Sequence, residues 1–306
     1  YNFVMTVERR TPDPTEADYA RSGLKRGLAL EAQLGANPYK FGLIGSSDSH
    51  TGMSAVEETA FAGKSQHDSF PGARSGPSGL GAAKGWDMGA AGFVAAWASE
   101  NTRQGIYEAF KRREVYASTG PRIALRFFGG FDFDKADLKT KDFVATGYRK
   151  GVPMGGDLQR QPRSKAPAFM VAAMKDPQAG NLDRIQVVKG WLDAEGATHE
   201  RIYDVAVSNG RKIGADGRCA TPVGMTVDLA SGRYTNDIGA IELAAVWRDP
   251  DFDPAQRAFY YARVLEIPTP RYSLLDSIAL GKPWQDTGRP ATIQERVYGS
   301  PIWYTP

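Results

Sequence analysis

The sequence predicts two structural regimes in one chain: an α/β segment over residues 1–122 and an antiparallel, sandwich-like all-β domain over residues 123–306. Three observations predict them. Before residue 122, helical stripes alternate with short apolar runs, the rhythm of α/β units. After it, strand-like runs follow one another between Gly, Pro and Asp turns. Between the first helical stripe and the loop beyond it, Lys40-Phe41-Gly42-Leu43-Ile44-Gly45-Ser46-Ser47-Asp48-Ser49-His50-Thr51-Gly52 runs from apolar residues into a small-residue turn.

Composition narrows the choice of function. The 306 residues are 42% hydrophobic, enough for one large or two smaller cores. Against 35 acidic residues stand 38 basic ones, a net charge of +3 that gives no electrostatic footprint for nucleic acid. No apolar run reaches the length of a membrane-spanning helix. A single cysteine, Cys219, excludes an intramolecular disulfide and a cysteine metal cluster.

The chain opens on Tyr1-Asn2-Phe3-Val4, without an initiator methionine or a signal peptide, and reads as a cleaved piece of a longer protein. Thr11-Pro12-Asp13-Pro14 is a turn. A helix should follow, capped by Asp13 or Thr15, with Glu16 and Asp18 in its first turn, an apolar stripe of Tyr19, Leu24, Leu28 and Leu34, and Gly35 as its stop. Phe41 to Ile44 then reads as a fully buried strand. If extended geometry persists to position 50, Asp48 and His50 point the same way, a carboxylate and an imidazole forming half of a divalent-metal site. The same pattern also fits an exposed turn with an N-cap.

Glu57 and Glu58 read as a further ligand or general base, or as an ordinary exposed helix turn. Gly63 to Gly92 is turn-rich, a disordered segment or a lid; it holds His67 and Asp68, and Trp86 to anchor it. Ala91 to Glu100 should be helical, and Asn101 or Thr102 should cap a second helix through Ile106, Tyr107, Phe110 and Arg113. Val115 to Ala117 is a strand ending at Ser118-Thr119-Gly120-Pro121-Arg122, which suits either a phosphate-holding loop with Thr119 and Arg122 or a simple turn.

Six strands are expected beyond this point: Ile123–Phe128, Phe169–Ala173, Ile185–Leu192, Ile202–Val207, Ile241–Trp247 and Phe259–Ile267. His199 falls in an expected hairpin turn. Asp249 to Asp253 lacks the glycine and the terminal glutamate of a calcium loop and reads as a turn capped by Asp253.

Four segments together resemble the domain-of-unknown-function 3604 family: Gly45 to Gly52, Lys111 to Ile123, Leu182 to Asp193 and Phe259 to Arg271. That family is similar to the PHP (polymerase and histidinol phosphatase) metal-dependent phosphoesterases. The resemblance implies that residues 1–122 are the C-terminal part of a distorted α/β barrel, closed by Arg113 to Gly120, and that a β domain follows. It implies Asp48 and His50 as catalytic metal ligands for Zn, Mn or Fe, and a periplasmic or secreted setting. The early His-x-His and Asp-His ligand motifs of such proteins are absent from these 306 residues. An N-terminal fragment or second chain is therefore expected to complete the site.

The expected function is metal-dependent hydrolysis of a small-molecule phosphoester, with Arg122 binding substrate charge. The alternative is a non-catalytic module binding a glycan or protein through Trp191, Trp247, Tyr260, Trp284 and Trp303.

Overall fold

The computed structural model describes residues 19–53, 57–76, 85–159 and 165–306. In chain order its elements begin with α1 (Ala20–Leu34), α2 (Pro71–Ser75), β1 (Phe93–Ala96), α3 (Arg103–Lys111) and β2 (Val115–Ser118). There follow β3 (Ala124–Gly130), α4 (Phe143–Lys150), β4 (Gly151–Pro153), β5 (Asp157–Gln159), β6 (Ala168–Met174), β7 (Leu182–Leu192) and β8 (Thr198–Val207). The chain ends with β9 (Glu242–Arg248), β10 (Ala258–Glu266), β11 (Thr269–Pro270), α5 (Tyr272–Ala279), β12 (Thr292–Ile293), β13 (Arg296–Gly299) and β14 (Ile302–Thr305).

Strand β10 is the centre. Its aromatic and β-branched run pairs along its whole length with β7, and its other edge is shared by β14 at one end and β13 at the other. β7 carries β8, while β13 carries β2 and then β1, giving an eight-stranded sheet that also includes β5. All pairings in it are antiparallel except β14 with β5. A second sheet, in the order β4-β3-β6-β9, is antiparallel throughout.

The period-two alternation of β10 explains how layers stack on both faces. Tyr260, Ala262 and Val264 enter the core between the two sheets, with Phe127, Phe169, Val171, Ile185 and Ile302. Phe259 and Tyr261 enter a second cluster on the opposite face, closed by Leu24 and Leu28 of α1. Burying each of those leucines contributes about 1.5–3 kcal/mol. Gly35 ends α1 in the left-handed conformation, φ 75°, as its lack of a Cβ allows.

The six expected strands are β3 and β6 to β10, each within a few residues of its expected limits. The aromatic residues of the binding-module alternative pack inward: Tyr260 and Trp303 are buried, and Trp191, Trp247 and Trp284 lie against core clusters.

Several expectations need correction. No barrel closes among the described residues; the sheets are mostly antiparallel, and β1 and β2 are the flank of the large sheet rather than barrel strands. Phe41 to Ile44 is not a strand and is not fully buried: Ile44 is 58% exposed, and the Leu43 amide donates to Ser300 Oγ at 2.9 Å in place of a ladder partner. Phe93 to Ala96, expected as helix, is β1, because β2 offers a free edge and tertiary pairing overrides alanine's helix preference. α1 begins after Tyr19, leaving Tyr19 and Leu34 exposed; the expected caps Asp13 and Thr15, and Glu16 and Asp18, lie outside the described residues. Thr102 does cap α3, accepting from the Gly105 amide, but Ile106, Tyr107 and Phe110 face outward. His199 lies on β8, not in a turn, stacked on Trp191 and 2.6 Å from Asp193.

Candidate functional site

Asp48 takes a left-handed backbone, φ 56°, which a short polar side chain tolerates. Local hydroxyl turns support it: the Ser49 amide donates to Ser47 Oγ at 3.2 Å, and the Thr51 amide donates to Ser49 Oγ at 3.4 Å. The loop is tied down by the His50 amide, which donates to the Lys64 carbonyl at 2.6 Å, and by the Ala90 amide, which donates to that of Ser47 at 3.1 Å.

Asp48 and His50 do come together. Nε2 of His50 stands 3.4 Å from Oδ1 of Asp48, and both side chains are more than half exposed, at 63% and 54%. The other oxygen, Oδ2, receives the Lys64 ammonium at 2.6 Å. That hydrogen bond is the main reason the Asp48 carboxyl lies below the ordinary aspartate range, so it is ionised at neutral pH. In kind, carboxylate and imidazole suit a borderline divalent ion; in number they fall short. Among the described residues, no group of three His, Cys, Asp or Glu side chains is placed to hold one.

Beside this loop lies a cavity of about 390 Å³, lined among others by Gly45, Ser46, Glu58, Trp86, Thr119 and Arg271. Asp48, His50 and Arg122 are not in its lining. One wall comes from the segment between Gly63 and Gly92. Residues 77–84 of it lie outside the described residues, but what flanks them is anchored. Arg74 clasps Asp276 of α5 with Nε and Nη2 at 2.8 and 2.7 Å, and Trp86 Nε1 donates to the same carboxylate at 2.8 Å. Trp86, Phe61 and Tyr272 share a small buried cluster in which the Phe61 and Tyr272 rings stack 4.0 Å apart. Of the segment's His67 and Asp68, Asp68 is buried and accepts from Ser65, whereas His67 is not in the cavity's lining.

The back wall holds Glu58 and Arg271, with the Glu295 carboxyl buried beside Glu58. Glu58 Oε2 accepts the Tyr272 amide at the start of α5, 2.7 Å away. Burial nevertheless pushes the Glu58 carboxyl up to about 7, against the pull of that amide and of Arg271. Glu295, fully buried beside it and accepting from the Thr119 hydroxyl, is raised well above the ordinary range by burial and then by the Glu58 charge. Glu58 also borders a smaller cavity of about 70 Å³, shared with Glu266 and Asp176. Arg271 is 6% exposed; its Nη2 donates to the Tyr272 hydroxyl at 3.1 Å, and among the described residues Nε and Nη1 have no hydrogen-bond partner.

Thr119 and Gly120 form the turn that the sequence allowed, with Ser118 Oγ donating to the Pro121 carbonyl and accepting the Gly120 amide. Arg122 is exposed and 3.9 Å from Glu57. Of the two adjacent glutamates, Glu58 is the one that turns inward. Arg271 and Glu295 carry no local signal: neither sits in a motif whose spacing relates it to Glu58, and only folding brings positions 58, 119, 271 and 295 to one place.

Compared with known families, residues 2–306 match the family described as protein of unknown function (DUF3604). Neither a curated protein nor a solved structure matches the chain.

Proposed function

Because the chain belongs to the domain-of-unknown-function 3604 family, we propose that it forms part of a metal-dependent hydrolase acting on small-molecule phosphoesters. The observation that supports this reading most is the meeting of Asp48 and His50, exposed and 3.4 Å apart at the end of a glycine- and serine-rich loop. These two residues would hold a Zn, Mn or Fe ion together with donors from a second polypeptide, an N-terminal fragment or another chain, because a hydrolytic site takes three or four protein ligands. When bound, the ion supplies a water of lowered pKa and polarises the phosphoryl oxygen.

The chain's own residues have separate tasks. Lys64 holds Oδ2 of Asp48 and leaves Oδ1, on the side of His50, as the oxygen turned toward the ion. The backbone bond from His50 to Lys64 holds the imidazole over the same loop. Arg122, exposed at the neighbouring strand end, meets the negative charge of the substrate before or as it docks.

The test is metal content and phosphodiesterase and phosphomonoesterase activity of the complete assembly, with and without His50→Ala. Near-integral metal and turnover that both disappear in the variant support the reading. Full activity and unchanged metal in His50→Ala refute it.

A further inference from the structure

We propose that the cavity beside the Asp48 loop is an oxyanion-binding subsite in which Arg271 receives a carboxylate, phosphate or sulfate group of a bound molecule. The inference goes beyond the hydrolase reading and needs no metal ion.

The central fact is a pair of unanswered donors. Arg271 is 6% exposed, and two of its three guanidinium nitrogens, Nε and Nη1, lack a hydrogen-bond partner among the described residues. Leaving a buried charged donor unsatisfied costs more than an ordinary hydrogen bond contributes, and such groups call for a specific explanation. The other buried arginine in this region shows what a structural role looks like: Arg74 is saturated by Asp276 and by the Asp68 carbonyl. Both arginines lie near α5, yet one is paired and the other lines the cavity with two donors unmet.

The carboxyls near Arg271 do not answer it. Glu58 accepts the Tyr272 amide with Oε2, Glu295 accepts the Thr119 hydroxyl with Oε2, and neither takes a hydrogen bond from Arg271 Nε or Nη1. The cavity is large enough, at about 390 Å³, for a small organic ligand, and it is of the size range in which pre-formed ligand sites fall. Its walls are fixed: Tyr272 is held by the Trp86 carbonyl, and Trp86 by Asp276. A planar guanidinium with free donors on a rigid wall is matched by the geometry of carboxylate and phosphoryl or sulfuryl oxygens. Trp86, Tyr272, Pro290 and Ile293 line the same space and suit an apolar body attached to that anion.

The experiment is calorimetric titration of the purified protein, in chelator to remove metal, with inorganic phosphate, sulfate and acetate. One equivalent of at least one anion should bind, and Arg271→Lys and Arg271→Gln should weaken it at least tenfold while Arg201→Gln, exposed on β8 and outside the cavity, leaves it unchanged. A preference for acetate identifies a carboxylate ligand; a preference for phosphate or sulfate identifies a tetrahedral one. Should the Arg271 variants not fold, selenate soaked into wild-type crystals decides the matter by its anomalous signal, expected within hydrogen-bond distance of Nε or Nη1. No binding at millimolar anion, binding unaffected in a folded Arg271 variant, or selenate found only elsewhere would overturn the proposal. Because metal is absent throughout, failure here leaves the His50 test standing, and failure there leaves this one.

Discussion

The Lys64 ammonium lies 2.6 Å from Asp48 Oδ2, on the carboxylate whose other oxygen faces His50. A cation already sits where a second cation would compete for the same carboxylate. Two like charges a few ångströms apart at a partly exposed site repel by about 1 kcal/mol or more. Lys64→Met should therefore tighten divalent-ion binding to the complete assembly by roughly fivefold or more, and should return the Asp48 carboxyl toward the ordinary range. Isothermal titration with Zn²⁺ and Mn²⁺ measures the first, and carboxyl-detected NMR titration the second. Weaker metal binding in Lys64→Met would mean that the lysine's chief contribution is to orient Asp48.

Gly45 and Gly92 let the Asp48 loop lie directly on the large sheet. A Cβ at Gly45 would stand 2.6 Å from the carbonyl oxygens of both Phe93 and Ser118, and one at Gly92 would stand 2.6 Å from that of Ser46. Backbone atoms cannot swing aside as side-chain tips do. Gly45→Ala and Gly92→Ala should each destabilise by about 1–3 kcal/mol, the range for overpacking, and should loosen the loop that carries Asp48 and His50. Thermal denaturation together with hydrogen exchange of the 45–52 amides tests this. Unchanged exchange in a folded variant would show that loop and sheet separate freely.

Asp276 closes the far side of the cavity by holding Arg74 and Trp86 at once. Both members of the ion pair are nearly inaccessible, with side chains 6% and 5% exposed. Removing one partner of such a pair leaves a buried charge uncompensated and costs about 3–5 kcal/mol. Asp276→Ala should lose that much stability in denaturant unfolding and should red-shift Trp86 emission as the segment lifts. The double change Arg74→Met with Asp276→Leu should recover most of the stability, since it removes the charge as well as the bond. If the double variant is as unstable as the single one, packing around Trp86 matters more than the buried charge.

The strands were the most legible part of the chain, and the reason is visible in β10. Its residues alternate strictly, and each face meets one continuous apolar layer, so pattern and burial agree. The weaker readings fail where structure depends on a distant neighbour. Phe41 to Ile44 has a strand's composition, but the edge it approaches offers a serine hydroxyl, Ser300, rather than a ladder. Phe93 to Ala96 has a helix's composition, and β2 claims it. At the site, Asp48 and His50 were readable because both lie in one short motif, though they meet through a left-handed turn and not through strand alternation. Arg271 was not readable. What distinguishes it is the absence of a partner for two buried nitrogens, and that is a property of the assembled cavity.

Glu58 makes the pH dependence of stability a test of the carboxyl cluster. In the folded chain burial pushes it up to about 7, whereas in the unfolded chain it returns to the ordinary value near 4.5. Between those limits the native state binds more protons than the unfolded state, so the stability that Glu58 confers is fully present below about 4.5 and is lost as pH rises through about 7. Glu266 and Glu295, also raised by burial, act in the same direction. The groups facing Glu58 are the Tyr272 amide, Arg271, Glu295 and Asp276; the amide, Arg271 and the hydrogen bond with Glu295 oppose the shift, and the Asp276 charge reinforces it. Since each pKa unit corresponds to about 1.4 kcal/mol, Glu58→Gln should flatten the fall in unfolding free energy between pH 5 and pH 8 by up to about 3 kcal/mol. Part of that change reflects Glu295, which loses a charged neighbour and titrates closer to its ordinary range. Urea unfolding at pH 5, 6, 7 and 8 for both proteins gives the comparison directly. Parallel curves for wild type and Glu58→Gln would mean that Glu58 is ionised and solvated in the folded chain, and that the back wall of the cavity carries a net negative charge instead of a shared proton.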